Sequence, residues 1–257
     1  MADHPFFMLG KNPAEKDPRT LQYGSILRAK ITVPESYDFD TTHTAVPMPM
    51  FANDRYGCCV ISGRAHQTLR FEYLEQKRVI SISDKDVVNE YLKESGGRDS
   101  GLVVIRSLNA WRNGWKAGGK TYKIKAYAQV DLRNHQAVKE AVYMDVGVGI
   151  GLSLPTSASR QIDAGQIWDV ARIGGRPGSW GGHYVYVVGY NKTGPVCVTW
   201  GRKQAMTWAF WDKYCDEVYA IFDSMNTAKI KRAINVKAVD SFLLDLDGKP
   251  AKKAKKR

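Results

Sequence analysis

Two short segments carry residue types that do chemistry together. NDRYGCCVISGRAH, residues 53 to 66, places Cys59 at the opening of a helix, and GGHYVYVVGYN, residues 181 to 191, places His183 at the head of an apolar strand. A thiol becomes a strong nucleophile only as thiolate, and two local fields favour loss of the proton: the positive end of a helix dipole and a neighbouring imidazolium. Both are on offer to Cys59, so its pKa is expected to lie below that of a free cysteine. Cys58 competes for the same role one residue nearer Gly57. His66 cannot serve as the base, because seven residues on one helix face put it ~10 Å from Cys59 along the axis.

Composition limits what such a pair can belong to. A chain of 257 residues with 44% hydrophobic and 11% aromatic content buries enough apolar surface for one large domain or two lobes sharing a cleft. The opening MADHPFFMLGKNPAEKD lacks a basic stretch followed by an apolar run of roughly 7–15 residues, and no uncharged apolar stretch reaches the ~18 residues of a membrane span. The chain is therefore expected inside the cell, away from the membrane. Its four cysteines are Cys58, Cys59, Cys197 and Cys215. Bridging adjacent cysteines strains the peptide between them, so the set does not read as a disulfide scaffold and fits a reducing compartment. Cys197, on a strand, and Cys215, on a helix, read as core thiols. No CxxC or HxxxH pair places two ligands within one turn, and neither a metal nor another cofactor is expected.

The net charge of +12 is uneven, because the terminal KPAKKAKKR holds Lys249, Lys252, Lys253, Lys255, Lys256 and Arg257. So charged a run, with almost nothing to bury, is expected to be disordered. It is either a solubilising end or a handle for nucleic acid or another polyanion through counterion release. Without interleaved aromatics to stack on bases, any such contact is expected to be weak.

Positioning the two residues requires particular elements. Prolines at 5, 13, 18, 34, 47 and 49 make residues 1–52 an extended, wrapping arm. Cys59, Ser62, Gly63, His66, Leu69, Tyr73 and Leu74 recur at three and four, predicting a long, one-sided helix. Ser83 caps a second helix over DKDVVNEYLKE with Asp86 in a capping-box variant, stopped by Gly96 and Gly97. LVVIRSLNAWRNGW predicts a third, closed by Gly118 and Gly119. The pattern then changes: TYKIKAYAQV alternates as a strand, Asn134 caps the helix HQAVKEAVYMD, and VGVGIGLSLP, HYVYVVGYN, PVCVTWG and YAIFD read as strands, with a helix over TWAFWDKYCDE before the last. The division is a helical lobe over 53–120, a β-rich lobe over 121–240 and a basic tail over 241–257. A cysteine on a helix and a histidine on a strand then meet where the lobes face each other.

Over Pro34 to Asp223 this order resembles the papain-like cysteine peptidases. PESYDFD resembles the segment leading into the mature enzyme, NDRYGCC the nucleophile block, SDKDVVNEYLKESGG the helix and Gly-Gly strip lining the substrate cleft, and HYVYVVGYN the histidine strand. Asn53-Asp54, Gly57 and Cys59, followed by a small-residue helix with an Ala-His pair, further resemble a group of short phage and prophage proteins. The resemblance implies an α+β, papain-like two-lobed fold, with a helical N-terminal lobe, an antiparallel β-rich C-terminal lobe and the active site between. It assigns Cys59 as nucleophile, with Cys58 in a variable position. His183 becomes general base and acid. Asn53, six residues before Cys59, takes the place of the family's oxyanion glutamine, one methylene shorter. The family's third residue, an asparagine sixteen positions after the histidine, corresponds to Thr199, whose hydroxyl is expected to accept from Nδ1–H of His183. Gapping one residue, to match Trp200-Gly201 to the family's Trp-Gly, puts Val198 there instead. Gly96 and Gly97 are expected along the substrate backbone, and Trp180 and Trp200, flanking the histidine strand, as walls of the cleft.

Three functions follow from these readings: a thiol hydrolase acting on a peptide or isopeptide bond of a protein substrate, using a Cys/His dyad with a weakened third member; an inactive papain-like module serving as a phage structural or virion-associated binding protein; and a polyanion-binding protein using Lys249 to Arg257. The corresponding locations are the host-cell interior or the virion.

Overall fold

A computed structural model describes residues 7–28, 31–224 and 228–246. The basic run from Lys249 to Arg257 lies outside the described residues. After His183 the strand Gly181–Tyr190 is apolar because both its faces are covered. Tyr184, Tyr186 and Val188 belong to a core shared with the long helix Cys59–Gln76, while Val185 and Val187 belong to a second core on the opposite side of the sheet. Alternation of side chains along a strand thus serves two cores instead of a core and water. The main sheet is antiparallel, in the order Ala126–Gln129, Cys215–Phe222, Val148–Leu154, Gly181–Tyr190, Pro195–Thr199, Arg202–Ala205. Tyr37–Asp38 joins the histidine strand at Gly189 and Tyr190, beyond the point where Val148–Leu154 has ended.

The helical lobe stands on the other side of that core. The helix Asp84–Glu94 begins with the expected reciprocal capping box between Ser83 and Asp86. Val104–Asn113 follows, then a hairpin of Trp115–Ala117 and Lys120–Tyr122. Gly118 and Gly119 form the turn of this hairpin, with φ of 54° and 75°, and Gly114 is the residue that closes the preceding helix. The alternation of TYKIKAYAQV is divided between the lobes. Tyr122 pairs with Trp115 in the hairpin, while Ala126 pairs with Phe222 in the main sheet.

The long helix differs from the one-sided element expected of it. Every residue from Cys59 to Phe71 is buried, because helices, sheet and N-terminal segment enclose it together. Its polar residues therefore need internal partners. Arg64 donates to Glu94 at 2.8 Å, to the Ser107 carbonyl at 2.8 Å and to the Ser107 hydroxyl. Arg70 forks onto both oxygens of Asp40 at 2.9 and 2.6 Å. Asp40 lies in the arm, on the short helix Phe39–Thr42, so the arm is built into the body as well as wrapped over it. Tyr23 and Ile26, on the helix Tyr23–Ile26, also enter the second core.

Other departures are local. The helix over TWAFWDKYCDE ends at Tyr214, and Cys215 opens a strand instead. The helix Thr156–Asp163 and the strand Arg202–Ala205 are additional. The helix Val236–Leu246 runs past position 240, the end given to the β-rich lobe, into the tail over 241–257. No helix among the described residues is long and apolar enough to cross a membrane.

Candidate active site

Cys59 opens the long helix where it meets the histidine strand. Its sulfur accepts the backbone N–H of Tyr184 at 3.4 Å, so the thiol lies against the residue that follows His183. Cys58 points elsewhere, donating toward the Phe51 carbonyl at 3.4 Å and lying 3.4 Å from the Ser62 hydroxyl. All four cysteines are free and buried. Among the described residues, no cluster of histidine, cysteine and carboxylate side chains could hold a metal ion.

His183 is held from two directions. Its Nε2 lies 2.7 Å from Thr199 Oγ1, and its ring stacks on Trp200 with centroids 4.0 Å apart and planes 12° apart. The nitrogen facing Thr199 is thus Nε2, where Nδ1 was expected. Val198, the alternative third member, belongs to the core containing the long helix. Nδ1 is buried without a hydrogen-bond partner. With Nε2–H donating to Thr199, Nδ1 carries the free lone pair a general base requires.

Asn53 is buried, and its Nδ2 donates to the Tyr56 carbonyl at 3.0 Å and the Met8 carbonyl at 3.1 Å. The Met8 carbonyl also accepts from Trp200 Nε1 at 3.2 Å. The amide read as an oxyanion donor is therefore already engaged by a peptide carbonyl of the arm. The segment continues along the cleft. Lys11 N–H donates to Gly182 O at 3.1 Å, Leu102 N–H to Gly10 O at 2.8 Å, and Asn12 N–H to Leu102 O at 2.9 Å. Contact is close enough that a Cβ on Gly10 would fall 1.7 Å from the Gly57 carbonyl oxygen, so only glycine lies flat there.

Burial sets the charge state of both groups. Burial is the largest influence on Cys59 and pushes its thiol up to about 11, against the smaller pull of the Tyr184 and Gly10 N–H groups and the Lys11 charge. Burial alone pushes His183 down to about 3. Both groups are neutral at pH 7, opposite to the lowered thiol expected from the helix dipole and an imidazolium. Burial also pushes Cys58 up to about 12.

The remaining candidates divide. Trp200 stacks on His183, and Trp180 lies 5.5 Å from Trp200, so both indoles gather on the histidine side. Gly96 and Gly97 do not line the path of the arm. They are exposed and terminate the helix Asp84–Glu94, with Gly97 N–H on Leu92 O at 2.7 Å. Leu102 pairs with the arm in their place, just past Gly101, because residues 97–100 displace the strip along the chain. The third glycine of SGGRDSG was the available signal. His66 packs against Phe51 at 4.9 Å, well inside the helix interface.

No protein-family model matches the chain, and no curated protein matches its sequence. Solved structures match its fold. Xylellain, a cysteine protease from Xylella fastidiosa, is 17% identical with a TM-score of 0.63, covering 83% of this chain and 95% of its own. Procathepsin B from Trypanosoma congolense is 14% identical with a TM-score of 0.57, covering 84% and 86%. A cysteine protease from Carica candamarcensis is 14% identical with a TM-score of 0.57, covering 74% and 99%. Helical lobe, antiparallel sheet and the cleft between them together make this the papain-like fold.

Proposed function

We propose that the chain is a papain-like thiol hydrolase of peptide or isopeptide bonds whose N-terminal arm covers the site. The observation that carries this reading is the extended backbone from Met8 to Asn12, hydrogen-bonded across the cleft beside Cys59 and the histidine strand. A cleft that holds one peptide main chain this way offers the same donors and acceptors to another. Once the arm lifts, water reaches the pair and the main cause of its neutrality goes. Proton transfer from Cys59 to Nδ1 of His183 then gives a thiolate and an imidazolium.

The steps follow from the assigned roles. The Cys59 sulfur adds to the scissile carbonyl carbon, and His183 passes the proton to the departing amine, leaving a thioester. Water, deprotonated by the same imidazole, releases the acid and restores the thiol. The Asn53 amide and the Cys59 backbone N–H supply the oxyanion donors, each such donor lowering the barrier by about 3–4 kcal/mol where measured in another hydrolase. Thr199 positions the ring through Nε2.

Thr199 in place of an amide favours a second reading, an inactive module that binds peptides, in a phage particle on the resemblance noted above. A thiol-reactive peptide probe separates the two. Stoichiometric labelling of Cys59, lost in His183→Ala, supports the hydrolase; absence of labelling and of peptide cleavage in an arm-loosened variant such as Lys11→Gln supports the module.

A further inference from the structure

The arm does more than lie across the cleft: it inserts one side chain behind it. Lys11 has a side chain only 1% exposed, and its Nζ lies 3.0 Å from Asp216 Oδ1, 3.1 Å from Asp216 Oδ2 and 3.3 Å from Glu217 Oε1. It also donates to the Asn12 carbonyl at 3.4 Å. Asp216 and Glu217 are neighbours, and in a regular strand their side chains would point to opposite faces. Here the register shifts. Gly151 faces Glu217 while Leu152 faces Cys215, which leaves Asp216 as the extra residue of a bulge. Bulges re-aim side chains, and this one brings both carboxylates onto a single ammonium.

The recess is shaped as well as charged. A Cβ on Gly151 would fall 2.1 Å from Lys11 Cε and 2.6 Å from Glu217 Cγ, so glycine at 151 leaves the channel that the lysine stem fills. Ser153 Oγ donates to Asp216 at 2.8 Å and Tyr219 OH to Glu217 at 3.1 Å, fixing each carboxylate from behind. Glu217 Oε1 is buried with no hydrogen bond to satisfy it. With Lys11 withdrawn, two adjacent carboxylates, one of them fully buried, would face the cleft with no cation between them, a state strongly disfavoured in a low-dielectric interior.

We propose that the recess formed by Gly151, Ser153, Asp216 and Glu217 is a specificity pocket that takes a lysine or arginine side chain of the peptide bound in the cleft, Lys11 being its internal occupant. This rests on the hydrolase reading for the identity of the ligand as substrate. The mouth of the recess supports the assignment, since the backbone that delivers Lys11 is the stretch paired with Gly182 and Leu102.

The test uses the full chain carrying Cys59→Ala, to prevent turnover, and Lys11→Ala, to empty the recess. Binding of the peptide Met-Leu-Gly-Lys-Asn-Pro is measured by calorimetry beside peptides with norleucine or glutamate in place of the lysine. The lysine peptide is expected to bind at least ~10-fold more tightly than the norleucine peptide, as a charge-assisted contact requires, and the glutamate peptide more weakly still. Glu217→Gln in the same background should erase the lysine preference. Equal binding of the lysine and norleucine peptides would overturn the pocket. Should Lys11→Ala not fold, Lys11→Gln keeps part of the stem but removes the ammonium that ties the arm to Asp216 and Glu217, and the same ranking is read by competition with the loosened arm.

Cleavage by the Lys11→Ala chain with Cys59 intact separates this claim from the one beneath it. Peptides cut without preference for a basic residue would defeat the pocket and leave the hydrolase. Lysine-selective binding with no cleavage of any peptide would keep the pocket as a binding site and defeat the hydrolase.

Discussion

The helix carrying Cys59 is enclosed on every side from Cys59 to Phe71 and pinned by buried guanidinium groups at Arg64 and Arg70, whereas His183, on the facing wall, is fixed through one hydroxyl and one indole face. The first arrangement leaves the thiol no freedom. In the second, Thr199 contributes a single rotatable oxygen, and the ring's other nitrogen has no partner. Nucleophile placement is thus set by the fold, while base placement is set by a few exchangeable contacts. Substitutions on the two walls should fail differently: sharply on the cysteine side, by degrees on the histidine side.

The largest effect tests the roles themselves. Cys59→Ala and His183→Ala should each abolish peptide hydrolysis with the fold intact by circular dichroism, while Cys58→Ala should retain it, because the Cys58 sulfur faces Phe51 and Ser62. Loss of activity in Cys58→Ala alone would shift the assignment by one residue.

Next comes the enclosure of the helix. Arg70→Ala strands the Asp40 carboxylate in the interior with only Lys203, 3.5 Å away, beside it. Urea unfolding should show a loss of about 3 kcal/mol, at the lower end of what breaking a buried pair removes. A loss under ~1 kcal/mol would mean that the helix is not pinned there.

On the histidine wall the response should be graded. Loss of the orienting group in a Ser-His-Asp enzyme lowers turnover ~10⁴-fold. Thr199 holds the ring less firmly, so Thr199→Val should lower kcat by roughly 10-fold to 100-fold on the same reasoning, and Thr199→Asn should preserve or raise it. Equal rates in all three chains would remove Thr199 from the mechanism.

The smallest effect is on stability against pH. Burial lowers His183 from 6.5 to about 3 in the folded chain, so below pH 6.5 the unfolded chain binds a proton that the folded one refuses. Stability should therefore be complete above that pH and fall as pH drops toward 3. His66, also lowered by burial, adds to the same slope. His183→Gln should flatten the fall in melting temperature across this window; an unchanged profile would show that His183 is not buried in neutral form.

Much of this was written in local patterns. Ser83 and Asp86 announced a cap, the unbroken apolar run after His183 announced a strand, and residue order alone suggested two lobes. What escaped depended on contacts between distant segments. Lys11 sits among ordinary arm residues and acquires meaning only beside Asp216 and Glu217, more than two hundred positions away. Gly96 and Gly97 had the right composition for the cleft edge, yet Leu102 holds the arm, because loop length after a helix is not fixed by the helix. Helix dipole and imidazolium alone would lower the Cys59 pKa, and burial, which no local pattern reveals, raises it instead.

The central claim is that Cys59 and His183 form a reactive pair once the arm is loosened. Its most direct test is the pH dependence of Cys59 alkylation by iodoacetamide in the full chain and in Lys11→Gln, each with and without His183→Ala. In the full chain, labelling should be slow at neutral pH and rise only as pH nears 11, the value burial imposes. In Lys11→Gln it should be fast, with a midpoint well below the ~8.5 of a free cysteine, and His183→Ala should abolish that shift. A midpoint in Lys11→Gln that stays at or above the free-cysteine value, or one indifferent to His183, would contradict the account.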